Sequence, residues 1–178
     1  MISHFGSKIL FVDVSRGPRR QGRYLIFLTA LVVSASLLTA QVSRPDFSGR
    51  WELDKAQSDF GSIPPDESAT ELIDHKDPKL NITQHWKNAE GEYSLVWQLT
   101  TDGAENVNRS DGTEIRSRTH WEDTRLITEW EMKSQANLVE GKNIRAISED
   151  GKTQAVHVQQ RSAAGDTTQR LVFIKQTP

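Results

Sequence analysis

From Gly49 onward the chain alternates between apolar and polar positions. "EYSLVWQLTT" sets Tyr93, Leu95, Trp97 and Leu99 on one face. "TEIRSRTHWE" sets Ile115, Ser117, Thr119 and Trp121 on one face, and Arg116, Arg118, His120 and Glu122 on the other. "RLITEWEMKS" groups Leu126, Thr128, Trp130 and Met132, and "KLNITQHW" groups Leu80, Ile82, Gln84 and Trp86. Period two with one polar face marks an antiparallel sheet that is wet on one side. Asp102-Gly103, Asp111-Gly112 and Asp150-Gly151 separate such runs, and Asp-Gly suits tight hairpin turns. Gly91, Gly141 and Gly165 punctuate further loops, while Pro64-Pro65 and Pro78 mark turns or irregular segments. The pattern predicts about ten strands, at 49–55, 68–75, 79–87, 92–101, 104–110, 113–122, 125–134, 142–149, 153–161 and 167–176. Helical periodicity is weak. A short helix or turn at Lys55–Phe60 and a one-turn segment near Gln135–Leu138 are the exceptions.

Short strands joined by hairpins must hide their edges. Closure into an up-and-down barrel does so, whereas a sandwich needs longer crossovers than these loops provide. The expected fold is therefore all-β, an antiparallel up-and-down β-barrel of about 8–10 strands, preceded by an N-terminal signal helix.

That helix is read from "LIFLTALVVSASLL", Leu25 to Leu38, the one strongly apolar run without alternation. Arg16, Arg19, Arg20 and Arg23 precede it and Thr39-Ala40-Gln41 follows. A basic flank, a short apolar run and a small-residue exit describe a secretory signal peptide, and the run is shorter than the ~18 residues wanted for a membrane span. Cleavage is expected after Ala40, with Ala35 as the alternative site; an uncleaved anchor is the competing reading. Gly22 stands where a twin-arginine signal wants a bulky apolar residue, and the chain has no Cys for lipid attachment. The organisation is then a signal peptide at 1–40, a linker at 41–46 and a barrel domain at 47–178. The destination is periplasmic or secreted.

The first 40 residues carry five of the 22 basic and one of the 24 acidic residues, so the remaining 138 carry a net charge of −6. That charge argues against nucleic acid or an anionic membrane as partner after cleavage. Without Cys there are no disulfides, and the core alone must hold the domain.

The opening "DFSGRWELDKAQSDFG" contains Phe47 and then Gly49-x-Trp51. It resembles the first strand of the calycin superfamily, the lipocalins and fatty-acid-binding proteins. The resemblance implies that Gly49 and Trp51 start the first strand, that Trp51 plugs the closed end, and that a basic residue of the last strand packs across it. Arg170 in "TTQRLVFIK" is the candidate. With "SGxW", a "DFG"-like segment and "HKDPKL", the chain also looks like small exported bacterial proteins of lipocalin-like type. The lipocalin Thr-Asp-Tyr motif and the helix-turn-helix lid of the fatty-acid-binding type are missing.

Five Trp residues, at 51, 86, 97, 121 and 130, favour inward faces. They either line a cavity or fill the barrel. The hydroxyls of Ser117, Thr119 and Thr128 keep the cavity reading open, because a dry core rarely wants them unpartnered. The expected liners are Trp97, Leu99, Ile115, Ser117, Thr119, Trp121, Thr128, Trp130 and Met132, around a small hydrophobic or aromatic ligand. The alternative is a filled barrel acting as a protein-interaction module. His75, His85, His120 and His157 show no metal-ligand spacing and read as surface residues; no metal and no cofactor is expected. Glu129 and Glu131 share a polar face, with Arg116 and Arg118 as natural partners. No nucleophile elbow, phosphate loop or dinucleotide fingerprint occurs, and no catalytic residue is named, which leaves a barrel-type hydrolase or isomerase as the weakest reading. Nothing in the sequence sets the oligomeric state.

Overall fold

The computed structural model describes residues 43–110, 112–133 and 137–177. The expected signal segment at 1–40, the start of the 41–46 linker and Gln135 lie outside these residues. All ten expected strands are present: β1 Gly49–Leu53, β2 Ser68–Lys76, β3 Lys79–Asn88, β4 Gly91–Thr100, β5 Asp102–Ser110, β6 Thr113–Glu122, β7 Arg125–Lys133, β8 Leu138–Ile147, β9 Thr153–Ser162 and β10 Gly165–Gln176. They form one antiparallel sheet in the order β4-β3-β2-β1-β10-β9-β8-β7-β6-β5. The sheet curls into a nearly closed barrel, with β1 and β10 pairing to join the chain's two ends.

The alternation sets the inner face. Trp51 lies opposite Glu71, Ile73 opposite Ile82, and Ile82 opposite Trp97, so these side chains share the interior. On the far wall Ile115 opposes Met132 and Leu126 opposes Arg145. Each inward face that the periodicity identifies is inward here.

Residues 55–57 form the turn that is one of the two expected forms, and the chain then touches β10 through a bridge between Asp59 and Arg170. Several local expectations need correction. Strand β8 begins at Leu138, and Gly141 is strand rather than loop. Trp130 lies directly opposite Gly141, and a Cβ there would fall 2.2 Å from the indole. The glycine therefore makes room for the ring instead of turning the chain. Asp102-Gly103 does not join two laddered strands either. It opens β5 at a register shift, and β5 pairs only with β6.

Side chains close the resulting seam between β4 and β5. Asn108 accepts from the Gln98 N–H (2.8 Å) and donates to the Gln98 carbonyl (3.3 Å). Asn106 accepts from the Thr100 N–H (2.9 Å) and donates to Thr100 Oγ1 (3.3 Å). A carboxamide carries the same donor and acceptor as a peptide group, so two asparagines stand in for a missing ladder.

One end of the barrel is plugged. Trp51 is fully buried and donates its indole N–H to the Phe47 carbonyl (2.9 Å). The cation over its ring is Lys175, 5.2 Å from the centroid, and not Arg170. Register explains the difference: Lys175 is the cross-strand partner of Trp51. Arg170 opposes His157, is exposed, and donates to the Gln57 carbonyl (3.1 Å).

Candidate functional site

The barrel interior is divided by a buried polar cross-link. Glu71 on β2 and Arg145 on β8 come from opposite walls, and both are almost wholly buried. The two guanidinium nitrogens donate to the two carboxylate oxygens at 2.7 and 2.9 Å, the bidentate geometry that makes such pairs strong. Gln84 (2.6 Å) and Gln154 (2.8 Å) also donate to Glu71, and the Trp97 indole donates to Gln84 (2.9 Å). Burial opposes the carboxylate charge, but Arg145 and these hydrogen bonds outweigh it and hold the Glu71 pKa below its ordinary value.

Beyond this cross-link, toward the plugged end, side chains fill the space. Phe47, Trp51, Leu80, Leu99 and Leu126 are part of one buried cluster. The last turn of packing is polar. Asp77, whose peptide bond to Pro78 is cis, accepts hydrogen bonds from Thr101, from the Trp121 indole (3.0 Å) and from Arg44 (2.9 Å). Partial burial raises its pKa, yet these three donors and the Arg44 charge pull it down to about 2. Trp121 sits against Phe47 and His75, with the Arg44 guanidinium 5.2 Å over its ring. His75 is buried here and accepts from the Phe47 N–H (3.3 Å), so it is not the surface residue expected.

Toward the other end lies a cavity of about 600 Å³. Its floor is Glu71, Gln84 and Arg145; its walls include Trp86, Leu95, Trp97, Ile115, Trp130, Met132 and Phe173. The β1–β2 connection borders it through Ile63, Pro64, Pro65 and Asp66, beside Asn88, Glu90 and Tyr93. Tyr93 stacks on Trp86, with centroids 6.4 Å apart and planes at 10°. Trp130 donates to Asn143 (3.2 Å), another liner. A concavity of about 650 Å³ on the outer face is lined largely by charges, among them Glu105, Arg116, Arg118, Glu129 and Lys142. Those charges already satisfy one another: Arg116 and Arg118 each reach Glu105 at 3.2 Å, and Lys142 reaches Glu129 at 3.6 Å. The expected bridges from the arginines to Glu129 and Glu131 are thus replaced by bridges to β5.

Of the expected liners, Trp97, Ile115, Trp130 and Met132 border the cavity. Leu99, Ser117, Thr119, Trp121 and Thr128 do not. They share the inward face without reaching the cavity, even Ser117, which lies directly opposite Trp130. Thr119 and Thr128 lie opposite each other and hydrogen-bond at 2.9 Å, so they need no ligand. Glu71 and Arg145 are the functional residues that sequence reasoning missed. A signal existed for Glu71: the tight turn at Asp77-Pro78 pairs it with Gln84, already read as inward. Among the described residues no group of His, Asp and Glu could hold a metal ion, and no helix is long and apolar enough to cross a membrane.

No family model and no curated protein sequence matches the chain. Solved structures do. A zebrafish ileal bile acid-binding protein complexed with cholic acid aligns with a TM-score of 0.51 at 14% identity, over 73% of this chain and 98% of its own. A secretory abundant heat soluble protein of Ramazzottius varieornatus aligns with a TM-score of 0.52 at 12% identity, over 76% of this chain and 98% of its own. The fold is shared with these structures: ten antiparallel strands in a nearly closed barrel.

Proposed function

We propose that this barrel binds a small ligand with an apolar or aromatic body in its open-end cavity. The observation that carries the reading is a cavity of about 600 Å³ whose walls are aromatic and aliphatic and whose floor is polar. Binding pockets for small molecules have this size and this composition. Ligand surface buried against Trp86, Trp97, Trp130 and Phe173 contributes about 25 cal/mol per Å² before ordering costs. The zebrafish protein of the same fold is complexed with cholic acid.

Titration with fatty acids, retinoids and aromatic metabolites tests it through intrinsic Trp fluorescence. A saturable, single-site quench or blue shift is expected. Met132→Trp fills the space and is expected to weaken binding at least about tenfold, roughly 1.4 kcal/mol. A flat response across the panel in the unmodified chain would return the barrel to the interaction-module reading. We also propose that the chain is exported, on the basis of Leu25–Leu38 and its basic flank. N-terminal sequencing of the protein recovered from its cells should begin at Gln41; an intact Met1 contradicts export by cleavage.

A further inference from the structure

Among its described lining residues the cavity has a single cation, Arg145, and Glu71 already neutralises it at 2.7 and 2.9 Å. An incoming carboxylate would have to displace Glu71 and leave that group buried and unpaired, a steep cost in a low-dielectric interior. The rest of the charged lining is acidic: Asp66 and Glu90 border the cavity, and among the described residues neither carboxylate is in an ion pair. Lys87, which follows Trp86 on β3, reaches Glu67 and Glu92 instead, at 4.0 and 3.6 Å. The same rim carries the stacked rings of Trp86 and Tyr93, with Tyr93 about half exposed. Carboxylates beside aromatic faces form the environment that receives an organic ammonium.

Resting on the cavity-binding reading, we propose that the occupant is a cationic amphiphile. Its ammonium lies at the rim between Asp66, Glu90 and the Trp86–Tyr93 pair, and its apolar tail lies against Leu95, Trp97 and Met132. The state of Asp66 agrees with this placement. Burial raises its pKa even though the Asn88 and Tyr93 side chains hydrogen-bond to it, so the carboxylate lacks a compensating charge. A bound ammonium supplies one.

The test compares dodecylamine, dodecan-1-ol and dodecanoate, each below its micelle concentration, by calorimetry and Trp fluorescence on the full chain. The three share a tail and differ only in head charge. The amine is expected to bind about tenfold more tightly than the alcohol, and dodecanoate about tenfold more weakly, with the spread shrinking as salt is raised. Asp66→Asn combined with Glu90→Gln is expected to weaken the amine and strengthen dodecanoate, compressing the order. Dodecanoate binding as tightly as the amine in the unmodified chain overturns the inference while leaving cavity binding intact. So does an amine preference that the double variant does not reduce. Failure of all three compounds, with the panel above equally silent, removes the cavity reading and this inference together.

Discussion

Asp77 shows how one carboxylate organises the plugged end. It gathers Arg44, Thr101 and Trp121 from three separate segments, and its folded pKa of about 2 lies below the ordinary 3.8. A lowered carboxylate pKa adds stability that is fully present above about pH 3.8 and lost as pH falls through about 2. Acid denaturation curves should therefore fall more steeply over that interval for the natural chain than for Asp77→Asn. Equal slopes would mean that Asp77 is no more strongly held folded than unfolded. Glu71 and Arg145 act differently because both are buried. Arg145→Met leaves a carboxylate with no cation in the interior, and urea unfolding is expected to show a loss of about 3–5 kcal/mol. Replacing both, as Glu71→Leu with Arg145→Met, should recover much of that loss, since the isolated charge and not the missing pair is the main cost. A double variant as unstable as the single one would contradict this account.

At the scale of elements, strands and inward faces were readable because period two is a strong signal and the turns are short. The periodicity of "KLNITQHW" identifies the inward face of β3 without any tertiary knowledge. What escaped were positions where a side chain does the work of backbone or of a different side chain. No periodic signal marks Asn106 and Asn108, yet they complete the hydrogen bonding of β4. Arg170 and Lys175 are both basic residues of β10, and only the register with Trp51 separates them. Glu71 was passed over because a charge in a strand is normally on the wet face. The seam gives its own prediction. Asn108→Ala leaves the Gln98 amide without its partner, and a loss of about 1–3 kcal/mol is expected. Hydrogen exchange should accelerate at Gln98 while β2 and β3, laddered on both sides, keep their protection.

For the whole barrel, the Glu71–Arg145 cross-link separates two jobs along one axis. One half is a packed cluster closed by Trp51 and the Asp77 hub; the other half is a cavity ringed by aromatic rings and carboxylates. This division explains why the site was only partly legible. Trp97, Ile115, Trp130 and Met132 border the cavity, while Leu99, Ser117, Thr119, Trp121 and Thr128, on the same faces, do not. Periodicity gives the side of a strand that a residue occupies but carries no information about depth along the barrel axis. Depth depends on where a charge pair spans the lumen, and that requires contacts between residues 74 positions apart.

The asparagine closure of β4 against β5 has a consequence for self-association. Two side-chain rotations are enough to unlatch it, whereas every other junction requires peptide groups to separate. Once unlatched, β4 and β5 offer bare main-chain donors and acceptors, and a second copy can satisfy them as readily as water. Strand exchange and fibril growth by this protein should therefore begin at Asn106 and Asn108, and conditions that loosen carboxamide hydrogen bonds should reveal it first.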